Sequence, residues 1–236
     1  MQVQVLMPVH NEAETIASTI KEWYEKSKID LQNLTFILSE DGSKDNTLKI
    51  ILDLKNKYNI NVITSAQRKG YSKAVVDAIN SSKEGIICCV DSDGQCDPND
   101  LTEFLSSLKS NPDKIISGVR TPRNDSILRK VMSKSFGVFY FLLFQIKMKD
   151  TSCPFVVGNK RSFHFISEEI HLDQGFWWEF HARRNAAKVE VVELEINHRS
   201  RLKGNSRVYS LQSISKIVWR HVKGLVALKI ELINTK

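Results

Sequence analysis

Gly85-Ile86-Ile87-Cys88-Cys89-Val90-Asp91-Ser92-Asp93-Gly94-Gln95-Cys96-Asp97-Pro98 begins as a short apolar run and ends in an acidic turn. The run has the length and residue types of a buried strand, with Cys88 and Cys89 as strand core. The turn residues mark its carboxyl end. Two carboxylates one residue apart at such an edge suit a hard divalent cation, Mg2+ or Mn2+. These ions take oxygen ligands and leave positions open for phosphate oxygens. A solvated turn rich in Asp and Gly is the plainer alternative, and the flanking sequence decides between them.

Upstream of this stretch, strand and helix signals alternate. Gln2 to Pro8 reads as a strand, and Glu12 to about Ser27 as an amphipathic helix with Ile16, Ile20 and Trp23 on one face. Leu34 to Ser39 is a second strand, followed by a helix bearing Leu48, Ile51 and Leu52, with Asp45 as its N-cap. Ile60 to Thr64 and Tyr71 to Asn80 form a third pair. Downstream, Pro98 sits near the start of a helix running to about Lys109. The alternation predicts an α/β, doubly wound, mainly parallel sheet with helices on both faces. Ligands of such sheets bind beyond the carboxyl ends of the strands. Four loops should therefore share one rim: Pro8 to Glu12, Glu40 to Asp45, Gln67 to Tyr71, and the Asp91 cluster.

With 236 residues, 42% of them hydrophobic, the chain has enough apolar side chains for a substantial core. Its four cysteines lack zinc-site spacing, and no secretory apolar segment precedes the first polar helix, so a reducing cytoplasm is expected. No apolar run approaches the roughly 20 residues that span a bilayer. The net charge of +7 is unevenly distributed: residues 1–117 hold 13 basic against 17 acidic side chains, residues 118–236 hold 21 against 10. The basic half expects an anionic partner, and charge alone leaves diphosphate, lipid and nucleic acid open.

That half is less regular. Lys114 to Gly118 reads as a strand leading to Arg120, and a basic stretch precedes the apolar run Phe136 to Phe144. The run fits either a buried helix or an interfacial one lying among lipid headgroups. Gly175 to Ala186 suggests a helix, Val189 to Val192 and Glu195 to His198 two short strands, and Leu211 to about Glu231 an amphipathic helix.

Met7-Pro8-Val9-His10-Asn11-Glu12, Glu40-Asp41-Gly42-Ser43-Lys44-Asp45-Asn46-Thr47, Arg68-Lys69-Gly70 with Ala74, and Asp91-Ser92-Asp93-Gly94-Gln95 with Asp97-Pro98 occur in that order. Together they resemble glycosyltransferase family 2, which has the GT-A fold. With Gly118-Val119-Arg120 and Arg201-Leu202-Lys203-Gly204-Asn205-Ser206-Arg207, the chain is similar to the polyprenyl-phosphate sugar transferases, including dolichyl-phosphate mannose synthases. Arg207 stands where that subgroup commonly has Lys, a change of geometry that bears on the acceptor.

The resemblance implies a catalytic domain over 1–210, with 1–118 taking the nucleotide-sugar and 119–210 the acceptor, followed by a C-terminal amphipathic helix over 211–236. It implies that Pro8, His10, Glu12, Asp41, Arg68, Asp91 and Ser92 hold a UDP- or GDP-linked sugar. Asp91, Asp93 and Gln95 would hold the metal, Mg2+ or Mn2+. Arg120, Arg201, Ser206 and Arg207 would bind leaving-group or acceptor phosphate, with Arg199 and Lys203 adding to the positive loop. The implied reaction is inverting transfer to a polyprenyl phosphate by an enzyme peripheral on the cytoplasmic face of the membrane. A lipid phosphate is already anionic and needs no strong base. A saccharide hydroxyl does need one, for which Glu179 or Asp173 is the candidate. A nucleic-acid-binding module is disfavoured because the aromatics fall in apolar runs instead of alternating with basic residues.

Overall fold

The computed structural model describes residues 2–121, 127–199 and 214–234. Strands β1 (Val3–Val9), β2 (Leu34–Glu40), β3 (Ile60–Thr64) and β4 (Ile86–Cys89) alternate with helices α1 (Ile16–Lys26), α2 (Thr47–Leu54) and α3 (Tyr71–Ser81). Helix α4 (Leu101–Ser110) leads to β5 (Ile115–Thr121), and α5 (Ile127–Phe144) to β6 (Val156–Asn159). Helix α6 (Phe176–Ala186) leads to β7 (Val191–Asn197), and α7 (Ile214–Asn234) follows. The sheet order is β3-β2-β1-β4-β6-β5-β7. β1 to β4 pair in parallel, as do β5 and β7, whereas β6 runs antiparallel to both its neighbours.

β1 shows why the sheet is doubly covered. Its Val3, Val5, Met7 and Val9 pack with Ile16, Ile20, Trp23, Leu101 and Phe104 on one face, while Leu6 points to the other with Val75, Ile79, Phe176 and Phe180. Successive strand side chains alternate between faces, so an unbroken apolar run requires helices above and below. A third cluster joins α5, α6 and α7 through Tyr140, Phe144, Leu172, Ala182, Leu225 and Leu228. The Phe136 to Phe144 run thus buries one face. Val138 and Leu142 on the opposite face are exposed.

Three local expectations change. β6, with Gly158 inside it and Pro154 just before it, carries no strand signal of its own; its pairing with β4 defines it. The two short strands near the end of the sheet are one, β7, in which Val192, Leu194 and Ile196 face the core and Glu193 and Glu195 alternate with them. The acidic residues broke the apolar run without breaking the period-2 pattern. Helix α2 is capped at Asn46, and Asp45 contributes from one position earlier by accepting from Thr47 N at 3.0 Å. All four cysteines are free and buried, as expected of strand core for Cys88 and Cys89.

Because β6 reverses direction twice over, β4, β5 and β7 all end at the same rim, and β6 begins there. That places the end of β5 at Arg120 next to the approach to β6 at Asp150 and Ser152.

Candidate active site

The β1 and β2 loops are tied together by short polar side chains. Asn11 N donates to Ser43 Oγ (2.9 Å), Glu12 N to Thr47 Oγ1 (2.8 Å), Ala13 N to Asp45 Oδ2 (3.3 Å) and Lys44 N to Asn11 Oδ1 (2.7 Å). His10 Nδ1 donates to the Asp41 carbonyl at 2.8 Å, and Glu12 accepts from Thr15 Oγ1 at 2.5 Å. The carboxylate of Asp41 is buried and receives the backbone N–H groups of Lys69 and Gly70, with Arg68 Nε 3.9 Å away. Gly42 permits this third loop to close in: its φ is +62°, and a Cβ there would sit 2.8 Å from Arg68 N.

The acidic turn joins the same rim. Ser92 Oγ donates to the Pro8 carbonyl at 2.9 Å, and Thr19 Oγ1 to the Ser92 carbonyl at 3.3 Å. Asp93 is buried and accepts from Gln95 N at 3.1 Å. Asp91 is half-buried, and its Oδ1 accepts from the Tyr71 hydroxyl at 2.7 Å. Trp177 Nε1 donates to that same hydroxyl at 2.9 Å. Burial, then the charge of Asp91, raises the Tyr71 pKa well above the usual phenol value, so the hydroxyl keeps its proton. Gln95 is held through its side-chain amide on the Arg199 carbonyl.

Two carboxylates, Asp91 and Asp93, stand one residue apart in this turn, and no cluster of three acidic, His or Cys side chains that could hold a metal occurs among the described residues. Such a donor set fits Mg2+ or Mn2+, which bind through one or two carboxylates and keep water and substrate oxygens. It does not fit zinc, which wants four ligands from thiolates and imidazoles.

Arg120 lies near Asp91 and is gripped by Asp150, Nε to Oδ2 at 2.8 Å and Nη2 to Oδ1 at 2.9 Å, with Ser152 Oγ at 2.6 Å. Burial alone would ease its proton off, but Asp150 more than offsets that and the pKa rises. Arg199 departs from the expected anion-binding loop: it is spent on Glu22 (2.6 Å) and Asp97 (2.5 Å). Arg201, Lys203, Ser206 and Arg207 lie outside the described residues.

Glu179 does not face the rim. It is fully buried, its Oε1 accepts from Arg183 Nε at 2.9 Å, and its Oε2 accepts the N–H groups of His171 and Leu172. Arg183 in turn pairs with Glu231 of α7 at 2.8 Å, and Glu231 holds His171. A carboxylate so engaged is an anchor between α6, α7 and the His171–Leu172 turn, because every strong donor near it is already bonded. Asp173, its alternative, is exposed, and its carbonyl accepts from Ser72 Oγ at 3.1 Å, beside the Tyr71 corner. Sequence reasoning missed Tyr71, the indole N–H of Trp177, and Asp150. The signal for the last was the polar Asp150-Thr151-Ser152 turn before β6.

The glycosyl transferase family 2 model matches residues 4–170. An undecaprenyl-phosphate 4-deoxy-4-formamido-L-arabinose transferase of Yersinia enterocolitica is 22% identical over 235 residues, covering 99% of this chain and 70% of its own. A dolichyl-phosphate beta-glucosyltransferase of Dictyostelium discoideum is 26% identical, covering 96% and 77%. Among solved structures, the glucosyl-3-phosphoglycerate synthase of Mycobacterium tuberculosis, in complex with Mn2+, UDP-glucose and glycerol 3-phosphate, superposes with a TM-score of 0.66 at 14% identity, covering 96% and 79%. Staphylococcus aureus TarS gives 0.60 at 15%, and this chain spans 35% of its length. The matched residues run from β1 to the segment before α6 and take in the loops that carry Asp41, Asp91 and Asp93: this chain belongs to glycosyl transferase family 2.

Proposed function

We propose that this glycosyltransferase moves a hexose-type sugar, with inversion, from a UDP- or GDP-linked donor to a polyprenyl phosphate at a membrane surface. The observation that carries this is the meeting of the Asp41 loop and the Asp91–Asp93 turn at one rim, base-side and phosphate-side contacts for one nucleotide. On this reading Asp41, with the Pro8 to Glu12 loop and Arg68, orients the nucleoside. An ionised carboxylate makes strong hydrogen bonds to ring N–H donors, and Asp41 is already aimed by two backbone amides. Asp91 and Asp93, with Gln95 beside them, hold Mg2+ or Mn2+ and the ribose, and Ser92 fixes the turn. When bound, the metal supplies Lewis-acid stabilisation of charge growing on the departing diphosphate. Arg120, held rigid by Asp150, adds a preorganised cation near Asp91, and Arg201, Ser206 and Arg207 are assigned to phosphate.

The acceptor assignment draws on two relatives whose names carry undecaprenyl and dolichyl phosphate. It also draws on chemistry: with Glu179 sealed in an ion pair, an acceptor that is already an anion requires least of the site. A saccharide hydroxyl is the second reading, favoured by the exposure of Asp173 beside Tyr71 and Ser72. Replacing Asp173 with Asn separates the two, since near-complete loss of turnover supports the hydroxyl and retained turnover the phosphate.

Outward side chains of α7 support the membrane assignment. Trp219, Lys223, Val226, Ile230 and Ile233 recur at helical spacing on its exposed side, Trp219 at 69% exposure, and Val138 and Leu142 of α5 are exposed as well. No helix among the described residues is long and apolar enough to cross a membrane. An apolar stripe with a Trp and basic neighbours is the composition of a helix lying among anionic headgroups. The decisive assay supplies undecaprenyl phosphate in anionic vesicles with UDP- and GDP-sugars and Mn2+. Prenyl-linked sugar should form with the wild type, and none with either donor would end the acceptor assignment.

A further inference from the structure

We infer that Tyr71 is a positioning residue for Asp91, backed in turn by Trp177. The inference rests on the reading of Asp91 as a metal and ribose ligand given above. Tyr71 opens α3, immediately after the two amides that grip Asp41, and it reaches across to the end of β4. Its hydroxyl has one proton, and the geometry commits that proton to Asp91 Oδ1 at 2.7 Å. The oxygen's lone pair is met by the indole N–H of Trp177 at 2.9 Å. An indole N–H is a donor and never an acceptor, so the order of the relay is fixed: Trp177 to Tyr71 to Asp91.

The physical consequence is a locked carboxylate plane. A half-buried Asp on a turn rotates about its terminal torsion at little cost, and a carboxylate that rotates loses part of its metal affinity to entropy. Hydrogen-bond partners behind metal ligands remove that freedom and typically change metal affinity or activity by about 10- to 100-fold. Tyr71 also ties three parts of the site to one ring. It neighbours the Asp41-gripping loop in sequence, it touches the acidic turn, and through Trp177 and the Ser72 contacts with Leu172 and Asp173 it is anchored to α6 and the segment before it.

The test is a Mn2+ titration of Tyr71→Phe, read by thermal shift and calorimetry with UDP and with GDP as probes. Phe keeps the ring and removes the hydroxyl. The Mn2+ concentration giving half of the nucleotide-linked stabilisation should rise about 10-fold, while the metal-free melting temperature falls by the few degrees expected when the Trp177 indole N–H loses its acceptor. Turnover should return towards the wild-type rate at saturating Mn2+, which a folding defect would not allow. Asp91→Asn is measured alongside. A wild-type midpoint in Tyr71→Phe beside a lost Mn2+ effect in Asp91→Asn overturns the positioning role alone. Unchanged midpoints in both overturn the metal reading and this inference with it. If Tyr71→Phe does not fold, Trp177→Phe leaves the phenol in place and removes the donor behind it. The same titration should then show a shift in the same direction but smaller, and no shift overturns the relay.

Discussion

The rim formed by the first four strands and the three-helix side of α5, α6 and α7 are held together by different means. At the rim, Asn, Asp, Ser and Thr side chains within a few residues of each strand end bond directly to neighbouring backbone. Between the helices, aliphatic and aromatic packing is joined by a buried ion network in which Glu179 and Arg183 meet Glu231. The first arrangement shapes a surface precisely but buries little. The second fixes one element against another and spends its charged groups on each other. The contrast teaches that function should be separable from stability by position, and four substitutions or titrations can break or sharpen it.

The largest effect is expected at Asp93. Asp93→Ala should reduce metal-dependent turnover by roughly 10^3-fold, about 4 kcal/mol of barrier, with a melting temperature close to wild type; full activity would remove the mechanism. Glu179→Ala should do the reverse. Stripping one partner from a buried ion pair costs about 3 kcal/mol or more, so its urea midpoint should fall while the folded fraction retains near-normal turnover per molecule. Should stability hold while kcat collapses, Glu179 is the base after all.

A third effect is pH-dependent and belongs to the helical side. His181 is completely buried, and that burial, followed by the charge of Arg184, pushes its pKa down to about 3 from an ordinary 6.5. The unfolded chain takes up a proton below about 6.5 and the native one does not until about 3. Stability present at neutral pH is therefore lost as pH falls through that window, by about 2 kcal/mol at pH 5. Denaturant unfolding from pH 7 to 5 should show the slope in the wild type and a flatter one in His181→Leu. The smallest effect sits on the rim: Asp45→Ala removes acceptors from Thr47 and Ala13, at a cost of about 1 kcal/mol in thermal or urea unfolding.

The same contrast explains which features are legible in the sequence. Asp41, Asp91 and Asp93 could be named as candidates because each sits in a contiguous motif, and the parallel strands were legible because an apolar run between turn signals reports double burial. β6 was not, since its four residues become a strand through Ile86 pairing with Asn159, 73 positions along the chain. The surroundings of Glu179 were hidden for the same reason. Its partner Arg183 is one helical turn away, but the residue that completes the network, Glu231, lies 48 positions beyond Arg183. Tyr71 stood at the end of the Gln67 to Tyr71 loop without an assigned role, because the carboxylate it bonds, Asp91, is 20 positions away.

Burial of every thiol has a practical corollary. Desolvation pushes the Cys153 pKa up to about 12 and raises those of Cys88, Cys89 and Cys96 as well, leaving almost no thiolate for an alkylating reagent to capture. The native molecule should thus be inert to maleimides. A cysteine introduced at exposed Trp219 would be the one site to take a fluorophore, and its spectrum would report directly on the polarity of whatever that helix rests against.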